Sequence, residues 1–110
     1  MDAFERHRDE QLRMRVTAYD GDGQRQSVAG VVDLSCSIYA ADAALTPVIV
    51  DDAAHCTIEE TVAGTEGDIM YDAPPGTVPD RGRYWLVFRC TIGGVPVSFP
   101  ETGYIPLTIV

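Results

Sequence analysis

From Leu12 the chain alternates apolar and polar residues with a period of two. Leu12, Met14, Val16 and Ala18 fall on one side, Arg13, Arg15, Thr17 and Tyr19 on the other. Successive strand side chains point to opposite faces, so this pattern predicts a strand with one buried face. Asp20-Gly21-Asp22-Gly23 then breaks the pattern with turn-forming residues. A second alternation sets Leu34, Cys36, Ile38 and Ala40 against Asp33, Ser35, Ser37 and Tyr39, and Thr46-Pro47 marks a loop. Residues 48–50 read as a short strand stopped by Asp51-Asp52. Residues 55–62 alternate again, and 69–71 form another short strand between turns at 63–67 and 72–76. The most regular stretch sets Tyr84, Leu86, Phe88 and Cys90 against Trp85, Val87, Arg89 and Thr91. Gly93-Gly94 suits a two-residue hairpin turn with positive φ at both positions. Pro96 and Pro100 push the return strand, 95–99, toward a sheet edge, and 104–110 supplies the last strand.

Seven to eight short strands with turns about every ten residues predict an all-β, antiparallel sandwich or barrel rather than a βαβ protein, with the sandwich preferred. It occupies 12–110 as one domain, behind a charged arm or short helix at 1–11. Asp2 with Glu5 imitates a capping box there, although so short a helix is unstable unless docked, for instance through Phe4.

The composition narrows the function. The 110 residues are 45% hydrophobic, enough for a core, and carry a net charge of −9 from 17 acidic and 8 basic side chains. Every basic residue is an arginine, and Arg6/Arg8 and Arg13/Arg15 cluster near the start. Such a chain repels phosphate backbones, so no nucleic-acid partner is expected. No signal-peptide core and no membrane-length apolar run occur, so the expectation is a soluble protein made in a cytoplasm with no membrane partner.

Candidate chemistry is sparse. Cys36, Cys56 and Cys90 lack CxxC spacing, and His55 beside Cys56 points the other way on a strand, so buried free thiols are expected rather than a metal site. Asp51/Asp52 and Glu59/Glu60 are adjacent pairs whose members face opposite ways. A catalytic couple would need distant residues such as Asp51 and Glu60 brought together. Asp20-Gly21-Asp22-Gly23 begins like a calcium loop but lacks the later oxygen ligands, so a plain turn is expected. No catalytic residue, cofactor or metal ligand is therefore assigned. Asp80-Arg81-Gly82-Arg83-Tyr84 matches the tyrosine corner of Greek-key sandwiches, where the Tyr hydroxyl satisfies a backbone group; Asp80, Gly82 and Tyr84 are its expected members. Leu86 stands where antibody-type domains have a cysteine, and a facing of Cys36 and Cys90 across the core is left open. Trp85 has two readings: packing against its own chain, such as Phe4, or service on a partner surface.

In order along the chain, several motifs carry a resemblance. They are Val32-Asp33-Leu34-Ser35, Gly67-Asp68-Ile69-Met70-Tyr71, Gly82-Arg83-Tyr84-Trp85-Leu86-Val87-Phe88, and Gly93 to Pro100 followed by Gly103-Tyr104. From residue 28 onward the chain resembles the immunoglobulin-like domain at the N-terminus of phage baseplate upper proteins and related sandwich modules of tailed-phage virions. The longer C-terminal region of baseplate upper proteins has no counterpart in this sequence. The resemblance implies a non-enzymatic virion component of capsid (as a decoration protein), neck, tail or baseplate, docking onto other virion proteins in many symmetric copies. Phe4, Arg6, Arg8, Trp85, Val95, Val97 and Phe99 are the candidate contact residues. The alternative is a carbohydrate- or receptor-binding module, with Tyr39, Tyr71, Trp85 and Tyr104 as a stacking platform.

Overall fold

The computed structural model describes residues 3–60, 62–100 and 103–110. The alternations become nine strands among them: β1 (Phe4–Arg6), β2 (Leu12–Thr17), β3 (Val32–Ala40), β4 (Pro47–Asp52), β5 (Cys56–Ile58), β6 (Asp68–Ala73), β7 (Gly82–Ile92), β8 (Val95–Phe99) and β9 (Ile105–Ile109). Two sheets form, one ordered β2-β6-β5 and the other β1-β9-β7-β3-β4 with β8 also on β7. The orders β2-β6-β5 and β9-β7-β3-β4 are those of the two sheets of an immunoglobulin-like sandwich.

The core lies where the two apolar faces meet. Leu12, Met14 and Val16 of β2 and Ile69 and Tyr71 of β6 pack with Cys36 and Ile38 of β3, Leu86 and Phe88 of β7, and Leu107 of β9. Tyr71 and Phe88 meet edge to face at 6.5 Å between ring centroids, a favoured aromatic geometry. The long strand β7 organises the larger sheet. Its first half pairs with β9 (Gly82↔Ile109 to Leu86↔Ile105) and its second half with β8 (Phe88↔Phe99 to Ile92↔Val95). Gly93 and Gly94 close the hairpin at φ 57° and 82°, as a primed turn requires. At the start of β7 the Tyr84 hydroxyl donates to the Asp80 carbonyl at 2.7 Å, the geometry of a tyrosine corner.

Two expectations are corrected and one open question is settled. The segment read as an arm or short helix is a strand: β1 pairs in parallel with β9, Phe4 opposite Leu107 and Arg6 opposite Ile109. A few residues form too little helix to offset its nucleation cost, whereas the free edge of β9 supplies ready backbone partners. Asp2, the expected cap, lies outside the described residues. The strand expected over 55–62 is only Cys56–Ile58. Beyond it the Glu60 carboxylate turns to the backbone, accepting from Val28 N at 2.5 Å, Gly67 N at 2.6 Å and Ser27 Oγ at 2.9 Å; Thr61 lies outside the described residues. Burial would raise the Glu60 carboxyl, but these bonds outweigh it and hold it below the ordinary value. Gly67 is needed at this crossing: φ is +87°, and a Cβ would lie 2.7 Å from the Ala18 carbonyl oxygen. Finally, Cys36 and Cys90 sit on neighbouring strands of one sheet, so they do not face each other across the core, and all three thiols are free.

Candidate functional site

The adjacent carboxylates of β4 diverge, as the strand pleat requires. Asp52 turns inward, pairing with Cys36 in the register. Its Oδ2 accepts from the Tyr71 hydroxyl at 2.6 Å and lies 2.8 Å from His55 Nδ1. Burial would raise this carboxyl, yet the bonds from Tyr71 and His55 outweigh it and keep it below the ordinary range. An ionised carboxylate only accepts, so Nδ1 of His55 carries the proton. Burial, with the Asp52 bond, pushes the Tyr71 hydroxyl far up; burial likewise pushes the Cys36 thiol far up and Cys56 up to about 12. Neutral thiols are poor nucleophiles and poor metal ligands. This cluster has the chemistry of a satisfied internal network.

Asp51 turns outward. Between the pairs Cys36↔Asp52 and Ile38↔Ile49, β4 carries one residue more than β3. Between Val32↔Thr91 and Ser35↔Arg89, β3 carries one residue more than β7. Asp51 and Asp33 lie in these two bulges with left-handed backbones, φ 51° and 57°. Bulges re-aim side chains, and both line one open cleft of about 400 Å³ with Ser35, Arg89, Thr91 and Pro96. Arg89 is exposed and contacts Ser37 Oγ and Tyr39 Oη at 3.4 Å each. Among the described residues no carboxylate forms an ion pair with Arg89, and neither Asp33 nor Asp51 accepts a side-chain hydrogen bond.

Beside the cleft, on the same outer face, stands an aromatic group. Tyr39 pairs with Trp85 across β3 and β7. The Tyr104 ring lies 6.0 Å from Tyr39, edge-on, and 6.3 Å from Trp85. Val87 and Ser37, paired on this face, are only 4% and 1% exposed. Val87 is buried without belonging to the central core, so the outer face has a small packed layer of its own.

Of the four aromatics expected as a platform, Tyr39, Trp85 and Tyr104 come together, and Tyr71 does not: it is buried in the core. Phe4 packs against the core, the side of the sheet opposite Trp85, so the two do not meet. Arg6 lies over the Phe4 ring at 5.1 Å and donates to Arg13 O. The Arg8 backbone continues the β1 pairing through Val110 O, while its side chain lies 3.9 Å from Asp9. Val95 is 60% exposed and Val97 half-buried, but Phe99, expected as a contact residue, is 5% exposed and opposite Phe88. Its alternation with Val97 and Val95 does not reveal that β8 turns this end inward. Asp20 spends its carboxylate on the amides of Asp22 and Gln24, the bonding of a self-capped turn. Glu60, bound to Ser27, Val28 and Gly67, does not share the cleft with Asp51. Among the described residues no group of three or more His, Cys, Asp or Glu is placed to hold a metal ion.

The grouping of Arg89, Asp33 and Asp51 is not apparent from the alternation of residues. The available signal was an Arg on the polar side of the most regular strand and Asp residues, which tolerate left-handed backbone, at both ends of broken alternations. Neither protein-family models nor curated protein sequences match the chain.

Proposed function

We propose that this chain is a non-enzymatic structural protein of a tailed-phage virion, made in the host cytoplasm and built into capsid, neck, tail or baseplate through contacts with other virion proteins. The motif order from Val32 to Ile109 supports it, and one observation carries the assembly mode. β8 and β9 lie in one row beside β7. β1 covers the outer edge of β9, whereas among the described residues β8 has no strand on its outer side. Val95 and Val97 lie along that edge. A strand from a neighbouring subunit that continues the row of β1 would complete it by β-augmentation, in a copy-to-copy contact that repeats with symmetry.

Light scattering and co-sedimentation with tailed-phage particles lacking this chain test the reading. Association is expected, together with its loss in the variant Val95→Lys, at an exposed edge position, with an unchanged melting temperature. A protein that stays monomeric and fails to join particles or their isolated subunits removes the support. A second reading, a carbohydrate- or receptor-binding module, is favoured by the aromatic cluster on the outer face.

A further inference from the structure

We infer that the outer face of β3 and β7 is a binding site for an uncharged oligosaccharide, with Tyr39, Trp85 and Tyr104 as the stacking platform and Arg89, Asp33 and Asp51 as the hydrogen-bonding end. This inference deepens the binding reading and does not depend on the assembly reading.

The chemistry of the site selects the ligand by elimination. A phosphate or other anion would meet two carboxylates, Asp33 and Asp51, in the same cleft as the single arginine. A cation would meet Arg89, which projects into the same cleft. An apolar ligand would strand the donors of Arg89 and four carboxylate oxygens against a surface with nothing to offer them. A molecule with many paired hydroxyls, each both donor and acceptor, satisfies all three groups without a net charge of its own.

The platform supplies the other half of the recognition. A sugar ring presents C–H groups on its faces and hydroxyls at its rim, and the C–H faces suit the negative face of an aromatic ring. Tyr39, Trp85 and Tyr104 are each half-buried, held by one another and by the layer over Val87 and Ser37. They are thus ordered before any ligand arrives, which reduces the entropy lost on binding.

Spacing sets the size of the ligand. Trp85 and the cleft-lining Thr91 are six residues apart on β7, about 20 Å along a strand. That exceeds one sugar ring, so the row fits an oligosaccharide lying along the strands. Tyr39 bridges the two ends, with its hydroxyl 3.4 Å from Arg89 Nη1.

Trp85 is the only tryptophan in the chain, so intrinsic fluorescence reports on this face alone. The experiment titrates the full chain with soluble cello-, malto-, manno- and chito-oligosaccharides, a sialylated and a sulfated oligosaccharide, and an unstructured peptide. Fluorescence and calorimetry are the readouts. A saturable response to at least one neutral oligosaccharide is expected, weaker for its monosaccharide. Arg89→Met and Tyr104→Ala are each expected to weaken it by about tenfold or more, while Tyr19→Ala, an exposed tyrosine elsewhere, leaves it unchanged. Circular dichroism on each variant separates lost binding from lost folding, and Asp51→Asn provides a second, milder probe of the cleft. No saturable neutral sugar at millimolar concentration overturns the inference, as does preference for the charged sugars or the peptide, or binding that survives both Arg89→Met and Tyr104→Ala. Particle co-sedimentation is unaffected by any of these results, so the assembly reading fails or stands by itself.

Discussion

Asp51 and Asp52 are neighbours in one strand and have opposite surroundings. Asp52 lies inside, where an unpaired carboxylate is costly, and the fold supplies Tyr71 and His55 as donors. Asp51 lies outside, where water would satisfy it without help, yet it adopts a left-handed backbone at φ 51°. That conformation costs an L-residue on the order of 1 kcal/mol, and the Asp51 side chain makes no bond that offsets it. Asp33 repeats the arrangement on the other flank of β3. Partners around a buried charge are what stability demands. The Asp51 amide donates to the buried Ser37 Oγ at 3.0 Å, but among the described residues neither acid forms an ion pair with Arg89, and left-handed backbone of this kind concentrates at functional sites.

The sharpest way to break this contrast is to remove each carboxylate in turn. Asp52→Ala leaves the Tyr71 hydroxyl buried without its acceptor and frees His55; a loss of about 3 kcal/mol is expected from two charge-assisted bonds. Asp51→Asn keeps a residue that tolerates the left-handed backbone and is expected to change stability by less than about 0.5 kcal/mol. Urea unfolding of the two variants measures both. Equal losses would mean that Asp51 has a structural role the contrast denies it.

Acid gives a second separation. The Asp52 carboxyl sits below its ordinary value of 3.8 in the folded chain. A depressed carboxyl contributes stability that is present above the unfolded pKa and lost as pH falls through the folded one. The groups around it do not titrate in acid as thiols or phenol: Cys36, Cys56 and Tyr71 are all pushed upward. The stability gap between the natural chain and Asp52→Asn is therefore expected to be at its full size above about pH 5 and to narrow below about pH 4. A gap that stays constant down to about pH 2 would place the Asp52 contribution in packing rather than in charge.

What the sequence made legible follows the same division. The period of two located the core strands, because burial on one face imposes that period on Leu12 to Val16 and Tyr84 to Cys90. Glycines announced the β7–β8 hairpin, and Asp80 to Tyr84 announced the corner. β1 was not legible, since three residues carry almost no periodic signal and its pairing depends on β9, a hundred positions away. The outer site was only half legible. Tyr39, Trp85 and Tyr104 were visible as aromatics on polar faces, but the alternation predicts exposure for Ser35, Ser37 and Val87, and all three are buried. The cleft itself depends on two bulges, each a single extra residue, and a bulge shifts register without changing composition.

The smallest effect contrasts two tyrosines whose hydroxyls differ in the charge of their acceptor. Tyr71 donates to the Asp52 carboxylate at 2.6 Å, and Tyr84 to the neutral Asp80 carbonyl at 2.7 Å. Removing a bond to a charged acceptor costs about 1.5–3 kcal/mol, and one to a neutral acceptor about 1 kcal/mol. Tyr71→Phe is thus expected to lower stability more than Tyr84→Phe, although both rings remain packed. Each leaves an oxygen without its donor, but the Asp80 carbonyl sits in an exposed loop residue where water can replace the hydroxyl, whereas Asp52 is largely enclosed, with its side chain only 14% exposed. Melting curves of the two variants at neutral pH decide it. If Tyr84→Phe proves the costlier, the corner anchors β7 more strongly than the inner carboxylate anchors the two sheets, and the ranking of the two regions reverses.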